Sequence, residues 1–210
     1  MACHGDFVGV CIGEDKLRRF LTLVAMRFGG VLRLPLLLFF DAKYLKGRFF
    51  ERDFLGFYWC IKSIWTRNIL RLAPPRRFPV TLTCRISKAE NISFHPDDLN
   101  NFQSPGTYFQ NLHAKIIIGK GSYIGPNVGL ITANHRLDDL DKHEPGRDIV
   151  LGERCWIGMN AVIMPGVILG NDTVVAAGSI VTKSFEDGAV IIGGVPAKIL
   201  KKRTPEDLPK

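Results

Sequence analysis

The sequence lacks any Cys-x-x-Cys pair. Its 5 cysteines (Cys3, Cys11, Cys60, Cys84 and Cys155) are odd in number and scattered, so zinc-ribbon and thiol–disulfide chemistry have no support. Reduced thiols in a cytosolic protein are the simple reading. It also lacks a long apolar run. The most apolar stretch, LRRFLTLVAMRFGGVLRLPLLLFF (17–40), is broken by Arg27 and Arg33, and its uncharged piece Leu34–Phe40 falls far short of the roughly 20 residues a spanning helix needs. No secretory leader is expected, because Asp6, Glu14 and Asp15 interrupt the start and no small-residue cleavage site follows. Acidic residues are scarce in one part only. Residues 1–80 hold 14 Lys+Arg against 6 Asp+Glu and residues 81–210 hold 14 against 14, so the whole net charge of +8 lies in the first 80. A nucleic-acid binder and a segment lying on anionic lipid both fit such an asymmetry.

Three zones follow from composition. Residues 1–79 are basic, rich in Leu and aromatics, and broken by Gly29-Gly30, Pro35 and Pro74-Pro75. Segments 16–28 and 54–72 read as short amphipathic helices, the second carrying Trp59 and Trp65. Basic residues alternating with Leu, Phe and Trp suit a helix lying in a membrane interface; helices packed on the main domain with their Arg heads in water fit equally well. Residues 80–111, including FHPDDLNNFQSPGTYFQN, are turn-rich and read as irregular chain and short strands leading into the next zone. A tail occupies 204–210.

Residues 112–203 hold a six-residue repeat. The hexads IGKGSY (118–123), IGPNVG and LITANH run to residue 135; LGERCW (151–156), IGMNAV, IMPGVI, LGNDTV, VAAGSI and VTKSFE run to 186. The first position is Ile, Leu or Val in all nine, the second is Gly in five, and the fifth is small in most. An α-helix cannot keep such a period on one face. A short strand and a tight bend, repeated, can: three hexads close a triangular turn, the aliphatic residue points inward, Gly lets the backbone turn, and backbone hydrogen bonds join successive coils into a parallel β-solenoid.

The hexads, with NH (134–135), CWIGMNAVIMPGV (155–167), AAGSIVTKS (176–184) and GGVPAKILKK (193–202), resemble the hexapeptide-repeat acyltransferases, closest to the sugar and antibiotic O-acetyltransferases of the maltose and galactoside kind. The resemblance covers about residues 112–203. It implies a mainly β fold, a left-handed parallel β-helix, here with an N-terminal basic helical segment and a short C-terminal helix. It implies a homotrimer with active sites between subunits, and acetyl-CoA as co-substrate with no metal.

The repeat breaks between Leu130 and Leu151, an interval of 21 residues, or three hexads plus three, so part of 136–149 must leave the coil as a polar loop. Loops projecting from a rigid scaffold are where function concentrates. His135 stands where the repeat ends. A hydroxyl is a poor nucleophile at neutral pH, and a general base needs a fixed position beside a cleft. In the resembling enzymes the matching histidine is that base. The resemblance further places the Met159 main-chain N–H at the oxyanion, Trp156 along the pantetheine, the Ala177-Gly178 backbone beside it, and Thr182 and Lys183 toward the nucleotide. Pro196 falls at adenine, and Lys198 and Lys201 near phosphates. Asn134 can help hold His135; His143 can touch the acceptor or be solvated; His113 has no assigned role.

The expected activity is O-acetylation of a saccharide hydroxyl by direct attack on the thioester, on a lipid-linked or surface-polysaccharide precursor if residues 1–79 meet the inner face of a membrane. N-acetylation of an amino sugar uses the same base. A metal-dependent hydratase would need His113, His135 and His143 together, and the separation of the last two does not match that class. A non-catalytic β-helical module with a basic arm is the remaining alternative; the arm has no nucleic-acid signature, so no nucleic-acid partner is expected.

Overall fold

The computed structural model describes residues 14–207; Cys3, Cys11 and Asp6 lie outside the described residues. Among the described residues, fourteen strands follow three α-helices. Strands β1 (Arg85–Ile86), β3 (Tyr108–Gln110), β6 (Gly129–Ile131), β9 (Val162–Ile163) and β12 (Ile180–Val181) stack into one parallel sheet. A second holds β2 (Ile92–Ser93), β4 (Ile116–Ile118), β7 (Ile149–Leu151) and β10 (Ile168–Leu169). A third holds β5 (Tyr123–Ile124), β8 (Trp156–Ile157), β11 (Val174–Val175) and β13 (Val190–Gly194), with β14 (Ala197–Lys202) added antiparallel at its edge. The chain visits the three sheets in rotation, so this is a parallel β-helix with three flat sides.

The register shows the hexad at work. Val150 pairs with Ile168, Trp156 with Val174 and Val162 with Ile180, each pair separated by three hexads and therefore one full coil. The first-position residues Ile118, Ile124, Leu130, Leu151, Ile157, Ile163, Leu169, Val175 and Val181 are all buried, and so are the fifth-position residues Ser122, Val128, Cys155, Ala161, Val167, Thr173 and Ser179. Burying a side chain of this size contributes about 1.5–3 kcal/mol, which makes the stacked aliphatic column the main source of coil stability.

Two details of the repeat differ from the sequence reading. The second-position glycines do not make the bend. None has a positive φ; they are needed because a Cβ would strike the next coil, at 2.4 Å from Gly152 C for Gly119 and 2.6 Å from Ala177 N for Gly158. The bend falls at position four, where Gly121, Asn127, Arg154, Asn160, Gly166, Asp172 and Gly178 all take a positive φ. Gly, Asn and Asp tolerate that left-handed conformation. Arg154 does not by type, and it is held by a two-pronged hydrogen bond to Asp172, its counterpart one coil along (Nε–Oδ1 2.9 Å, Nη2–Oδ2 2.7 Å).

The turn-rich segment before the repeat is the first coil. β1, β2 and β3 pair in the two sheets above, and the third side is supplied by the buried Leu99, Asn101 and Phe102, with Asn101 Oδ1 accepting from Ile124 N–H at 2.9 Å. Side-chain amides replace backbone pairing there, which is why no hexad is visible. The expected C-terminal helix is a strand: β14 hydrogen-bonds to β13 across the Gly194-to-Ala197 turn, then a short 3-10 turn, Pro205–Asp207, follows. The exposed edge of β13 offers unpaired backbone groups, and pairing there outweighs helix propensity in AKILKK.

The basic N-terminal region forms α1 (Glu14–Arg33), α2 (Arg48–Glu51) and α3 (Leu55–Ser63), the last continued by a π-helical stretch, Ile64–Ile69. It shares a core with the solenoid. Tyr44, Phe78, Phe94, Phe102 and Phe109 stack in a chain with ring centroids 4.5–5.2 Å apart. Arg67 does not reach water: it is buried, and its guanidinium donates to the carbonyls of Val80, Pro74, Thr81 and Cys84. Arg48 ties α2 to Asp97 and to the Tyr123 hydroxyl.

Candidate active site

Leu130 and Leu151 occupy equivalent positions on adjacent sides of one coil. They are 21 residues apart where the hexad needs 6. The excess is a hairpin. Arg136 N–H donates to Lys142 O at 2.9 Å, Glu144 N–H to Asn134 O at 2.8 Å, and Arg147 N–H to Thr132 O at 2.8 Å. His135 and His143 face each other across it as an antiparallel bridge.

His135 is exposed, and its Nδ1 lies 2.7 Å from the Leu140 carbonyl oxygen. A carbonyl can only accept, so Nδ1 carries the proton and Nε2 is left with its lone pair outward. The His143 ring lies 4.2 Å from the His135 ring at 37°, and His113 lies 5.9 Å beyond His143. His113, Arg136, His143, Glu144 and Gly146 line an open depression of about 1090 Å³ beneath the hairpin. Ion pairs at the hairpin tip, Arg136–Asp138 and Lys142–Asp139, are exposed and contribute little to its stability.

The root of the hairpin is clamped from the previous coil. The Gln110 Oε1 accepts from Thr132 N–H at 3.0 Å and Ala133 N–H at 3.2 Å, and its Nε2 donates to Ala133 O at 3.1 Å. Neither Gln110 nor the Leu140 carbonyl was legible as part of the site. The signal available for Gln110 was its place one coil before Ile131.

The structure brings His113, His135 and His143 together. Asn134 contributes its main-chain carbonyl to the hairpin ladder. Met159 is exposed; its carbonyl accepts from Gly178 N–H, and its own N–H lies against Gly125 with no hydrogen-bond partner among the described residues. Trp156 is exposed on β8, and Ala177 and Gly178 form an exposed turn with open space where a Gly178 side chain would stand. Thr182 and Lys183 are exposed, with Lys183 Nζ over the Phe185 ring. Pro196 follows a cis peptide bond in the β13–β14 turn and Lys198 is exposed on β14, whereas Lys201 is engaged with Asp207 at 3.1 Å. The Thr204 N–H, with that Lys201 contact, holds Asp207 down to about 2.

No cysteine is poised as a nucleophile among the described residues. Burial pushes the Cys84 thiol up to about 12 and raises Cys60 and Cys155 as well, so the reactive thiolate is suppressed at each. Among the described residues no group of three His, Cys, Asp or Glu is arranged to hold a metal ion; the three histidine rings tilt over one another.

A three-sided parallel β-helix with a histidine-bearing hairpin between two of its sides defines the class of protein. The family description "Bacterial transferase hexapeptide (six repeats)" matches residues 148–183. A "Probable macrolide acetyltransferase" of Lysinibacillus sphaericus is 35% identical over 132 residues, covering 50% of this chain and 73% of the relative. A galactoside O-acetyltransferase of Lactococcus lactis is 34% identical over 95 residues, 44% of this chain and 45% of the relative. A solved hexapeptide-repeat acetyltransferase of Vibrio cholerae, complexed with acetyl coenzyme A, is 34% identical over 47% of this chain and 57% of its own, with a TM-score of 0.41. This chain belongs to the hexapeptide-repeat acetyltransferases. It spans 49%, 44% and 62% of three further relatives from Saccharomyces cerevisiae, Schizosaccharomyces pombe and Dictyostelium discoideum, so about half the length of the curated relatives it matches.

Proposed function

We propose that this protein transfers an acetyl group from acetyl-CoA to a hydroxyl of a saccharide, with His135 as general base. The observation that carries the reading is the 2.7 Å contact from His135 Nδ1 to the Leu140 carbonyl. In the neutral ring it leaves the lone pair on Nε2, placed to accept the acceptor's hydroxyl proton. The acceptor oxygen then forms its bond to the thioester carbon, the Met159 N–H receives the oxyanion, the C–S bond breaks, and the proton passes from Nε2 to the leaving CoA sulfur. The absence of a low-pKa cysteine among the described residues favours direct transfer over an acyl-enzyme. Family membership supports acetyl-CoA as donor, and the galactoside relative's name supports a sugar hydroxyl as acceptor.

In this reading the coil is left-handed and three copies assemble, with CoA along the groove between two of them. Trp156, the Ala177-Gly178 turn, Thr182, Lys183 and Pro196 line it. Lys198 meets a phosphate, and Lys201 does so only by leaving Asp207. Residues 112–203, with the first coil that precedes them, form the transferase unit, and Asn134 and His143 border the acceptor. The test is calorimetry of acetyl-CoA binding to wild type and His135→Ala, followed by an acceptor-sugar screen. Micromolar binding by both, with transfer by wild type alone, supports the assignment. Absence of binding in both overturns it.

A further inference from the structure

The helix carrying Trp59 and Trp65 is apolar on both sides: Phe57, Trp59 and Ile64 pack against the core, and other large apolar side chains point away from it. α3 and its π-helical continuation turn Gly56, Cys60, Ser63 and Arg67 toward the core. Their outer face carries Ile61 (65% exposed), Trp65 (55%) and Ile69 (58%), and the exposed Leu72 (60%) follows beyond the helix end. Steps of four residues place the first three on one side of the helix. α1 repeats the arrangement. Ala25 and Gly29 are its buried residues, Gly29 against Phe57 of α3, while Phe20, Leu23, Phe28 and Val31 stand in solvent. Each helix thus leaves a row of large apolar side chains in solvent on the side away from the core, and exposed apolar surface of this kind marks an interaction surface.

We propose that the outer face of α1 and α3 docks on an anionic lipid surface, the helices lying in the interface. Charge selects this occupant. The whole excess of +8 lies in the first 80 residues and the rest of the chain is neutral, and Lys16, Arg19, Arg27 and Lys62 are exposed on the same helices as the apolar side chains, with Arg71 exposed just beyond them. A second copy seated on this face would bring two such excesses together, whereas an anionic bilayer takes up both the cations and the apolar groups. No described helix is long and apolar enough to cross a membrane, so the contact is lateral. This inference is independent of the acetyl transfer.

The test is co-sedimentation of the full chain with phosphatidylcholine vesicles and with vesicles one-third phosphatidylglycerol. Removal of the N-terminal region is unsuitable, because it shares its core with the solenoid. Two variants are used instead, Ile61→Gln with Trp65→Gln, and Lys16→Gln with Arg19→Gln and Arg27→Gln, each checked by thermal melting. The expected result is binding about tenfold tighter to the anionic vesicles, weakened by salt, a loss of about tenfold or more in each variant, and a blue shift of wild-type tryptophan emission on binding that the first variant loses. Equal binding to both vesicle types, or folded variants that bind like wild type, would overturn the proposal. So would a wild type that ignores vesicles but self-associates through this face, with Ile61→Gln/Trp65→Gln dissociating it.

Discussion

The Leu140 carbonyl oxygen accepts a hydrogen bond from His135 Nδ1 at 2.7 Å, across five residues of a hairpin that the coil does not need. One backbone group thus sets the tautomer of the histidine. Catalytic histidines are commonly oriented by a carboxylate; a carbonyl orients the ring equally well but adds no negative charge to stabilise an imidazolium. Replacing His135 with Ala is expected to lower kcat by about 10²–10⁴-fold and to leave acetyl-CoA affinity unchanged. Steady-state kinetics with a competent acceptor, beside calorimetry of the donor, separates the two quantities.

Gln110 acts on the same histidine from the preceding coil. Its side-chain amide holds Thr132 and Ala133, immediately before Asn134 and His135. Gln110→Met keeps the volume and removes the side-chain hydrogen bonds to Thr132 and Ala133. We expect kcat to fall about tenfold or more, because a small displacement of a base is felt strongly, with the KM for acetyl-CoA unchanged and the protein still folded. An unchanged kcat would show that the clamp is dispensable.

Gly158→Ala probes the close stacking of coils. The added Cβ would sit 2.6 Å from the main-chain nitrogen of Ala177, and backbone cannot yield as a flexible side chain would. Overpacking of this kind destabilises by about 1–3 kcal/mol, to be read from urea denaturation. The same substitution also displaces the Ala177-Gly178 turn, so weaker acetyl-CoA binding should accompany it.

Asp172 gives a pH dependence with a defined sign. Its hydrogen bonds from Arg154 hold its carboxyl below the ordinary value of 3.8. The folded state therefore binds fewer protons than the unfolded chain there, and the stabilisation is present above about pH 4 and lost as pH falls through the lower folded value. Asp172→Asn should melt below wild type at pH 7, and the two curves should converge as pH drops below 3.8. A gap that persists at the lowest pH would assign the effect to packing instead.

Much of the solenoid was legible because its period is short and its first position is aliphatic without exception. Position four escaped notice. Its requirement is conformational, and Gly, Asn, Asp and Arg look unalike until their shared positive φ is seen. The first coil escaped because Leu99, Asn101 and Phe102 fill a side that no strand occupies. At the C-terminus the sequence points to a short helix, while the free edge of β13 decides the conformation of KILKK. His135 could be named from the interruption alone, but Gln110 and the Leu140 carbonyl could not, since their roles exist only once Ile131 lies beside Gln110 and the hairpin has closed.

The hairpin leaves one side of the coil and returns at the start of the next, with Leu130 and Leu151 both in their inward positions. Every later strand therefore keeps the register it would have had with no insertion at all. The length and composition of the excursion are free to drift while the column beneath it is held fixed. The surroundings of His135 and the stability of the scaffold can thus change by separate mutations: a longer or differently charged tip alters what can approach His135, and none of the aliphatic stack has to move to accommodate it.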